Sequence, residues 1–398
     1  MTPPAPDPHT RRAWLRLARS RGLGATGLAR LVERHRDPLD ALDYLHAHLD
    51  TAPFARVSLA SEAEVLAEMD TVERLGLHLL LSCDPQFPQA LSVLSPPPPV
   101  ILAAGDLCLL DRPVCALVGS RNASSAGLGL ARHFASTLGQ NGWVTVSGLA
   151  RGIDGAVHHA SLDTGTIAVV AGGLDHIYPP EHAELHEAIA HKGLILSERR
   201  LGTIPRAQDF PRRNRLISGL ALGTLVVEAA ERSGSLITAR LAAEQGREVM
   251  AIPGSPLDPR SKGTNRLLRD GAQLVDCPED VIEILSRAHP PAPQVRETAP
   301  ADLFDDPDPE AAADDPHPAT MPDEEKIADD TLETRLQTLL SSAPTPLDQL
   351  IRDSGFPASN VMALLQEWSL TGRVETLPGG RVRASAASPV SGLPQEAS

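Results

Sequence analysis

The sequence predicts an α/β protein: a Rossmann-like, mostly parallel sheet with helices on both faces, preceded by a helical domain and followed by a winged helix. Three observations predict it. From Val114 onward, short apolar runs rich in β-branched residues recur, each pair separated by one helix-length segment, which is the rhythm of parallel strands joined by crossover helices. Apolar residues make up 42% of the chain but aromatics only 3%, so the core must be built from Ala, Val, Leu and Ile, as in sheets buried on both faces. The length of 398 residues also favours two or three domains over one, on a prior of about 100–200 residues each.

Taken in order, residues 1–76 read as short helices, with apolar spacing at Leu28, Leu31 and Val32 and again at Val65, Leu66 and Met69. Within them, "RGLGATGLARLVERH" places two glycines two apart, with Thr26 opening a helix. That is the pattern of a helix-hairpin-helix, whose backbone amides can approach a phosphate; the alternative is a glycine-capped turn inside a bundle. Residues 77–287 form the α/β domain. It is entered through a Pro-rich connection over 77–112 ("SPPPP"), after which "VCALV", "WVTVS", "TIAVVA", "LILSE", "GTLVVEA" and "REVMAIP" are the expected strands. Residues 288–330, rich in Pro, Ala and acids and without a period, predict a disordered, self-repelling linker. Residues 331–386 carry three helical stretches and then "RVETLPGGRVRA", a hairpin with a Gly-Gly turn, which together make a winged helix. Residues 387–398 are expected to be a disordered tail.

Charge distribution matters more than the net −15. Glu297–Glu333 holds fourteen acids and one lysine, and so supplies most of that charge. Met1–Arg36 has eight arginines against two acids, and Arg199–Arg269 thirteen basic residues against six acids. Two basic regions are thus screened by one acidic segment. Cys83, Cys108, Cys115 and Cys277 lie far apart without metal-ligand spacing, as reduced residues of a cytoplasmic protein do. No run approaches the roughly 18 apolar residues of a membrane span, and neither a membrane nor a metal is expected as a partner.

In open parallel sheets ligands bind beyond the carboxyl ends of the strands. The loops there read "GSRNASSAG", "GLARGID" and "GGLDHIYP", small residues running into helices, which present free amides to an anion. The dinucleotide fingerprint G-x-G-x-x-G is absent, Ser147 and Gly148 stand where a ribose-binding acid would be, and no Walker pattern occurs. No cofactor is therefore expected. A row of arginines spread over several loops suits a phosphate chain better than a single phosphate, with Phe210 beside it to stack on a base.

The candidate nucleic-acid-binding residues are Gly119, Ser120, Arg121 and Ser124 in the first loop and Gly148 and Arg151 in the second. "FPRRNR" and its approach add Arg206, Phe210, Arg212, Arg213, Asn214 and Arg215, and Ser233 and Lys262 follow. Helical spacing predicts that Arg212 and Arg215 point together; the alternative for any of these arginines is an internal ion pair. Asp154 is placed to cap the helix containing His158 and His159, and Ser233 or Ser235 the helix of "SLITARLAA"; His158 reads as structural, and Asp175 as a turn residue. Glu228 is the one carboxylate positioned like a catalytic group, but no catalytic set can be assembled.

"VGSRNASSAG", "SGLARGID", "GGLDHIYP", "FPRRNRLISGL", "VVEAAERSGSLITA", "IPG" and "GTNRLLRDGA" occur in the order seen in the DNA-processing protein A (DprA/Smf) family, which the chain resembles over roughly residues 77–287. The flanks resemble members with an N-terminal domain of the SAM or helix-hairpin-helix type and a C-terminal winged helix. The resemblance implies a non-enzymatic homodimer that binds single-stranded DNA, loads the RecA recombinase during natural transformation, and meets other single-strand-binding or recombination proteins. It implies that Arg121 and Phe210–Arg215 line the DNA pocket. His182 and the pair Arg199 and Arg200 depart from the usual pattern: the first puts that loop's contacts in question, the pair widens the basic surface. The third helix of the winged helix has no Lys or Arg, unlike a groove-reading helix, so a protein-interaction or regulatory role is expected for it. The rival reading is a nucleotide N-glycosidase on a similar fold, but "ERSGSLITA" lacks the paired glycines and glutamate of that enzyme's "PGGxGTxxE".

Overall fold

The computed structural model describes residues 6–51, 53–288 and 331–385. The expected linker and tail lie outside the described residues. Four helices come first: α1 (Pro8–Arg19), α2 (Gly24–His35), α3 (Pro38–Ala47) and α4 (Glu62–Arg74). Asp7 caps α1, and Ser61 and Glu64 form a reciprocal capping box on α4, each satisfying amides that a helix start leaves unpaired. The turn from α1 to α2 passes through Gly22 and Gly24, both at positive φ, and α2 opens at Gly24, two residues before the expected Thr26.

The main domain follows: β1 (His78–Leu81), α5 (Gln89–Ser92), β2 (Val100–Gly105), β3 (Val114–Val118), α6 (Ser125–Gln140), β4 (Val144–Ser147), α7 (Ile153–Ser161), β5 (Thr166–Val169), α8 (Ala183–Lys192) and β6 (Leu194–Ser197). The second half comprises α9 (Asp209–Leu220), β7 (Gly223–Val226), α10 (Gly234–Glu244), β8 (Glu248–Ala251), α11 (Lys262–Arg269), β9 (Gln273–Leu274) and α12 (Pro278–Ala288). The strands make one sheet in the order β1-β2-β6-β5-β4-β3-β7-β8-β9. From β6 through β9 it is parallel; β1 and β2 extend it antiparallel. Residues 77–112 are therefore more than a connection. Their two strands lacked the repeated strand–helix rhythm that marks the others, and pairing with β6 is decided only in the folded sheet.

One sheet face is packed by α6, α7 and α12 through Phe134, Leu138, Val157 and Leu285, the other by α5, α9 and α10 through Leu91, Leu216, Ile217 and Ala239. The N-terminal helices share a core with Leu81 and Val100 at the antiparallel edge. Arg19 binds Glu68 at 2.7 Å, Arg200 reaches the same carboxylate, and Arg215 pairs with Glu198 beside them, so charges close this seam.

The last unit holds α13 (Leu332–Leu339), β10 (Thr345–Pro346), α14 (Leu347–Ser354), α15 (Ala358–Leu370), β11 (Val374–Leu377) and β12 (Arg381–Ala384), three helices and a three-stranded wing. It docks on α6. Leu128 enters its apolar core, Asp353 accepts from Ser125 Oγ at 2.9 Å and from Arg132, and Gln349 donates to the Ser125 carbonyl at 2.8 Å.

Candidate nucleic-acid interface

The chain runs outward from β3 to β6 and then crosses back to β7, so the loops after β3 and β7 diverge and open a crevice at the carboxyl ends of the strands. The helix α9 crosses from β6 to β7 on one face and begins at this same rim, with Pro211 in its first turn, where proline's fixed φ suits a helix start. The result is a cleft of about 4,090 Å³.

The structure brings most of the expected residues together. Gly119, Ser120, Arg121, Gly148 and Arg151 line the cleft from the first two loops. Arg206, Phe210, Arg212 and Asn214 line it from α9 and its approach, and Ser233 from the start of α10. The Arg121 guanidinium lies 5.4 Å from the centre of the Phe210 ring, and Tyr178 meets that ring at 5.3 Å. A π-face bordered by cations is a platform on which any base can stack. Arg121, Arg206 and Arg212 are exposed; Arg151 is half-exposed and pairs with Glu181.

Three of the expected residues, Ser124, Arg215 and Lys262, do not line the cleft, and a fourth, Arg213, meets its wall only from a buried position. Arg213 is buried: its guanidinium donates to the carbonyls of Gly148, at 2.5 Å, and of Val169. Arg215 points away from Arg212, into the domain seam, where it pairs with Glu198 and donates to the Pro96 carbonyl. Helical spacing placed these two on one face; the preference of Glu198 and Pro96 for a donor at the seam rotates the long side chain off it. Ser124 is buried, accepting from the Gly127 amide as the cap of α6 and donating to Glu228 at 2.6 Å. Lys262 is exposed at the start of α11, but the cleft wall there is formed by Arg260 and Gly263.

Beneath the surface lies a polar layer that shapes the second loop. Asp154 accepts from the Gly148 and Ala150 amides; it is one residue inside α7, whose cap is Gly152, so its expected capping role is replaced by bracing the loop. Between those two amides Leu149 is held at φ 55, a left-handed conformation that costs a non-glycine residue about 1–3 kcal/mol and persists only where surroundings impose it. His182, the residue that departs from the family pattern, donates from Nδ1 to the Leu149 carbonyl at 3.1 Å and so braces the second loop. At Gly148 a Cβ would lie 2.6 Å from Arg213 Nη2, so glycine is required for the guanidinium to pack there. Burial lowers the Arg213 pKa to about 10 while the Asp154 charge opposes the shift, and burial likewise raises that of Asp154 against the pull of Arg213.

The candidate catalytic groups are also committed to structure. Glu228 accepts from the Ser124 amide at 3.0 Å as well as from its hydroxyl, and burial raises its pKa despite those bonds and the nearby Arg260. His158 is buried, bonded through Nδ1 to Thr166 Oγ1 at 2.8 Å, and burial depresses its pKa to about 3. Ser233 accepts from the Ser235 amide as the cap of α10, and Asp175 accepts the Gly202 amide. Arg200 is spent on Glu68 at the seam rather than on a wider basic surface.

Sequence reasoning missed Tyr178, although it is one of only two tyrosines, and Arg260. Arg260 pairs with Asp258 and donates to the Thr338 and Leu340 carbonyls at the end of α13. Through that contact Thr334, Gln337 and Arg373 form the far wall of the cleft, so the winged helix borders the site with α13, with Trp368 near the end of its third helix and with its wing. Nothing in the sequence marks this edge.

Comparison with known proteins gives the arrangement its context. Residues 78–286 match the family model described as DNA recombination-mediator protein A. A protein named Smf from Escherichia coli is 35% identical over 93% of this chain and 95% of its own length. The chain belongs to the DNA recombination-mediator protein A family. Residues 8–71 match the DprA-like N-terminal HHH domain and residues 307–380 the DprA winged helix domain. Among other family members, DNA processing protein DprA of Bacillus subtilis is 43% identical over 53% of this chain and 72% of its own length. The X-ray structure of DNA processing protein A from Streptococcus pneumoniae superposes with a TM-score of 0.57 at 34% identity, covering 68% of this chain and 95% of that one. Among the described residues no helix is long and apolar enough to cross a membrane.

Proposed function

We propose that the chain is a cytoplasmic, non-enzymatic binding protein that holds single-stranded DNA in the cleft and, as a homodimer, delivers it to the RecA recombinase during natural transformation. One observation carries this: the diverging loops bring Arg121, Arg206 and Arg212 to the surface around the Phe210–Tyr178 platform. Arginines bind the phosphates wherever the strand runs, and stacking accepts any base, so binding has little sequence preference. Duplex DNA keeps its bases paired and cannot use the platform. A dimer presents two clefts to one strand, which raises affinity through effective concentration. The commitment of Glu228 and His158 to internal hydrogen bonds speaks for binding over glycosidic cleavage.

The test is fluorescence anisotropy of labelled single-stranded and duplex oligonucleotides across a salt series, with Arg121→Ala and Arg212→Ala beside the unaltered protein. Single strands bind more tightly, and each substitution reduces the log–log salt slope by about 0.7. Equal binding of both nucleic acids, or unaltered slopes, would refute the reading. Acceleration of RecA assembly on the bound strand, light scattering, and release of free base from nucleoside monophosphates test recombinase loading, dimerisation and the rival activity in turn.

A further inference from the structure

A second concavity lies against the first. It measures about 590 Å³, and its lining includes Arg199, Thr203, Ile204, Arg206, Asp209 and Arg212. Arg206, Gln208 and Arg212 belong to both walls, so the start of α9 is a ridge between the cleft and this cavity. Its volume is within the roughly 300–1,000 Å³ of small-ligand pockets.

The chemistry inside is uneven. Buried Asp209 takes a hydrogen bond from the Arg206 amide at 2.9 Å and pairs with Arg199, so one guanidinium is neutralised and the turn before α9 is fixed. Among the described residues Arg206 and Arg212 have no carboxylate partner, which leaves two uncompensated positive charges on the ridge. Ile204 stands in the wall with 69% of its surface exposed, an apolar group set among cations. Small inorganic anions gain nothing from such a group, whereas a nucleotide offers both an anion for the ridge and an apolar base face for Ile204.

We propose that this cavity is a further nucleic-acid subsite, which receives the continuation of the single strand held in the cleft. Arg206 and Arg212 hold the phosphate that crosses the ridge, and Ile204 supports the next base. The inference rests on the cleft reading, and it makes the bound length of the strand longer than the cleft alone can hold.

The experiment uses the full chain with oligothymidylates of increasing length, from about four to about twenty nucleotides, and compares it with Ile204→Glu and, independently, Thr203→Glu. Neither position lies in the cleft wall. The unaltered protein gains affinity in two steps of length. Each substitution abolishes the second step, weakening the longer oligonucleotides about tenfold while binding of the shortest stays within about twofold. Full-strength binding of long strands by both variants would overturn the subsite and leave the cleft standing. Loss of the first step in the unaltered protein would overturn both. A result in which Phe210→Ala removes the first step and Ile204→Glu only the second supports the two subsites separately.

Discussion

Adjacent arginines in one helical turn should fail in opposite ways. In Arg213→Met the methionine fills much of the space, but the Gly148 and Val169 carbonyls lose their donor and Asp154 loses its countercharge. Removing one partner of a buried charge pair costs about 3–5 kcal/mol, and a pair of orphaned carbonyls makes the upper end the better expectation. Adding Asp154→Asn removes the stranded charge and recovers about 1–3 kcal/mol, a coupling that a double-mutant cycle isolates. Arg212→Ala removes only an exposed side chain, and stability changes by about 0.5 kcal/mol or less. The assay is urea unfolding of five proteins, the unaltered chain, Arg213→Met, Asp154→Asn, their combination and Arg212→Ala, followed by anisotropy with single-stranded DNA under conditions where each is folded. Arg212→Ala loses affinity and salt dependence at full stability, whereas Arg213→Met loses stability first. If Arg213→Met were as stable as the unaltered protein and lost the same salt slope as Arg212→Ala, the buried role assigned to Arg213 would be wrong.

Other outcomes follow from the same geometry. Phe210→Ala weakens single-strand binding by about 1–3 kcal/mol without changing the salt slope, since the ring contacts no phosphate; an unchanged affinity would remove the stacking platform. His158 is held neutral down to about pH 3 in the folded protein against an ordinary value near 6.5. Between those values the unfolded chain binds the extra proton, so stability falls as pH drops through this window by about 1.4 kcal/mol per unit. In His158→Gln that component of the slope disappears, which unfolding midpoints from pH 7 to about pH 4 will show. Asp353→Ala removes the carboxylate that Ser125 and Arg132 share and weakens docking of the winged helix by about 1.5–3 kcal/mol. Faster hydrogen exchange at the start of α6 and in α14, with the rest of the sheet unaltered, is the readout.

Periodicity was enough to read the six parallel strands β3 to β8, because each is a short apolar run followed by one helix; it did not reach β9, whose two exposed residues, Gln273 and Leu274, become a strand only by pairing with β8. The same argument could not reach β1 and β2. They lie in a Pro-rich stretch, and what makes them strands is the free edge of β6, which no local pattern announces. At the site the split follows side-chain length. Arg121 and Phe210 were legible because a loop after a strand and a helix start at the rim leave few places for them to go.

The sequence by itself determined the strand–helix alternation from β3 to β8, that the strand-end loops there meet at one rim, and that the rim carries a surplus of arginines beside rare aromatics. Only the tertiary structure decided which arginine each partner claims. Burial of Gly148 and Val169 drew Arg213 inward, Glu198 at the seam drew Arg215 aside, and Arg260 was tied to the winged helix. A guanidinium can extend several ångströms in any direction from its Cα, so its role is fixed by the nearest buried acceptor, and that acceptor is brought close only by distant segments folding together.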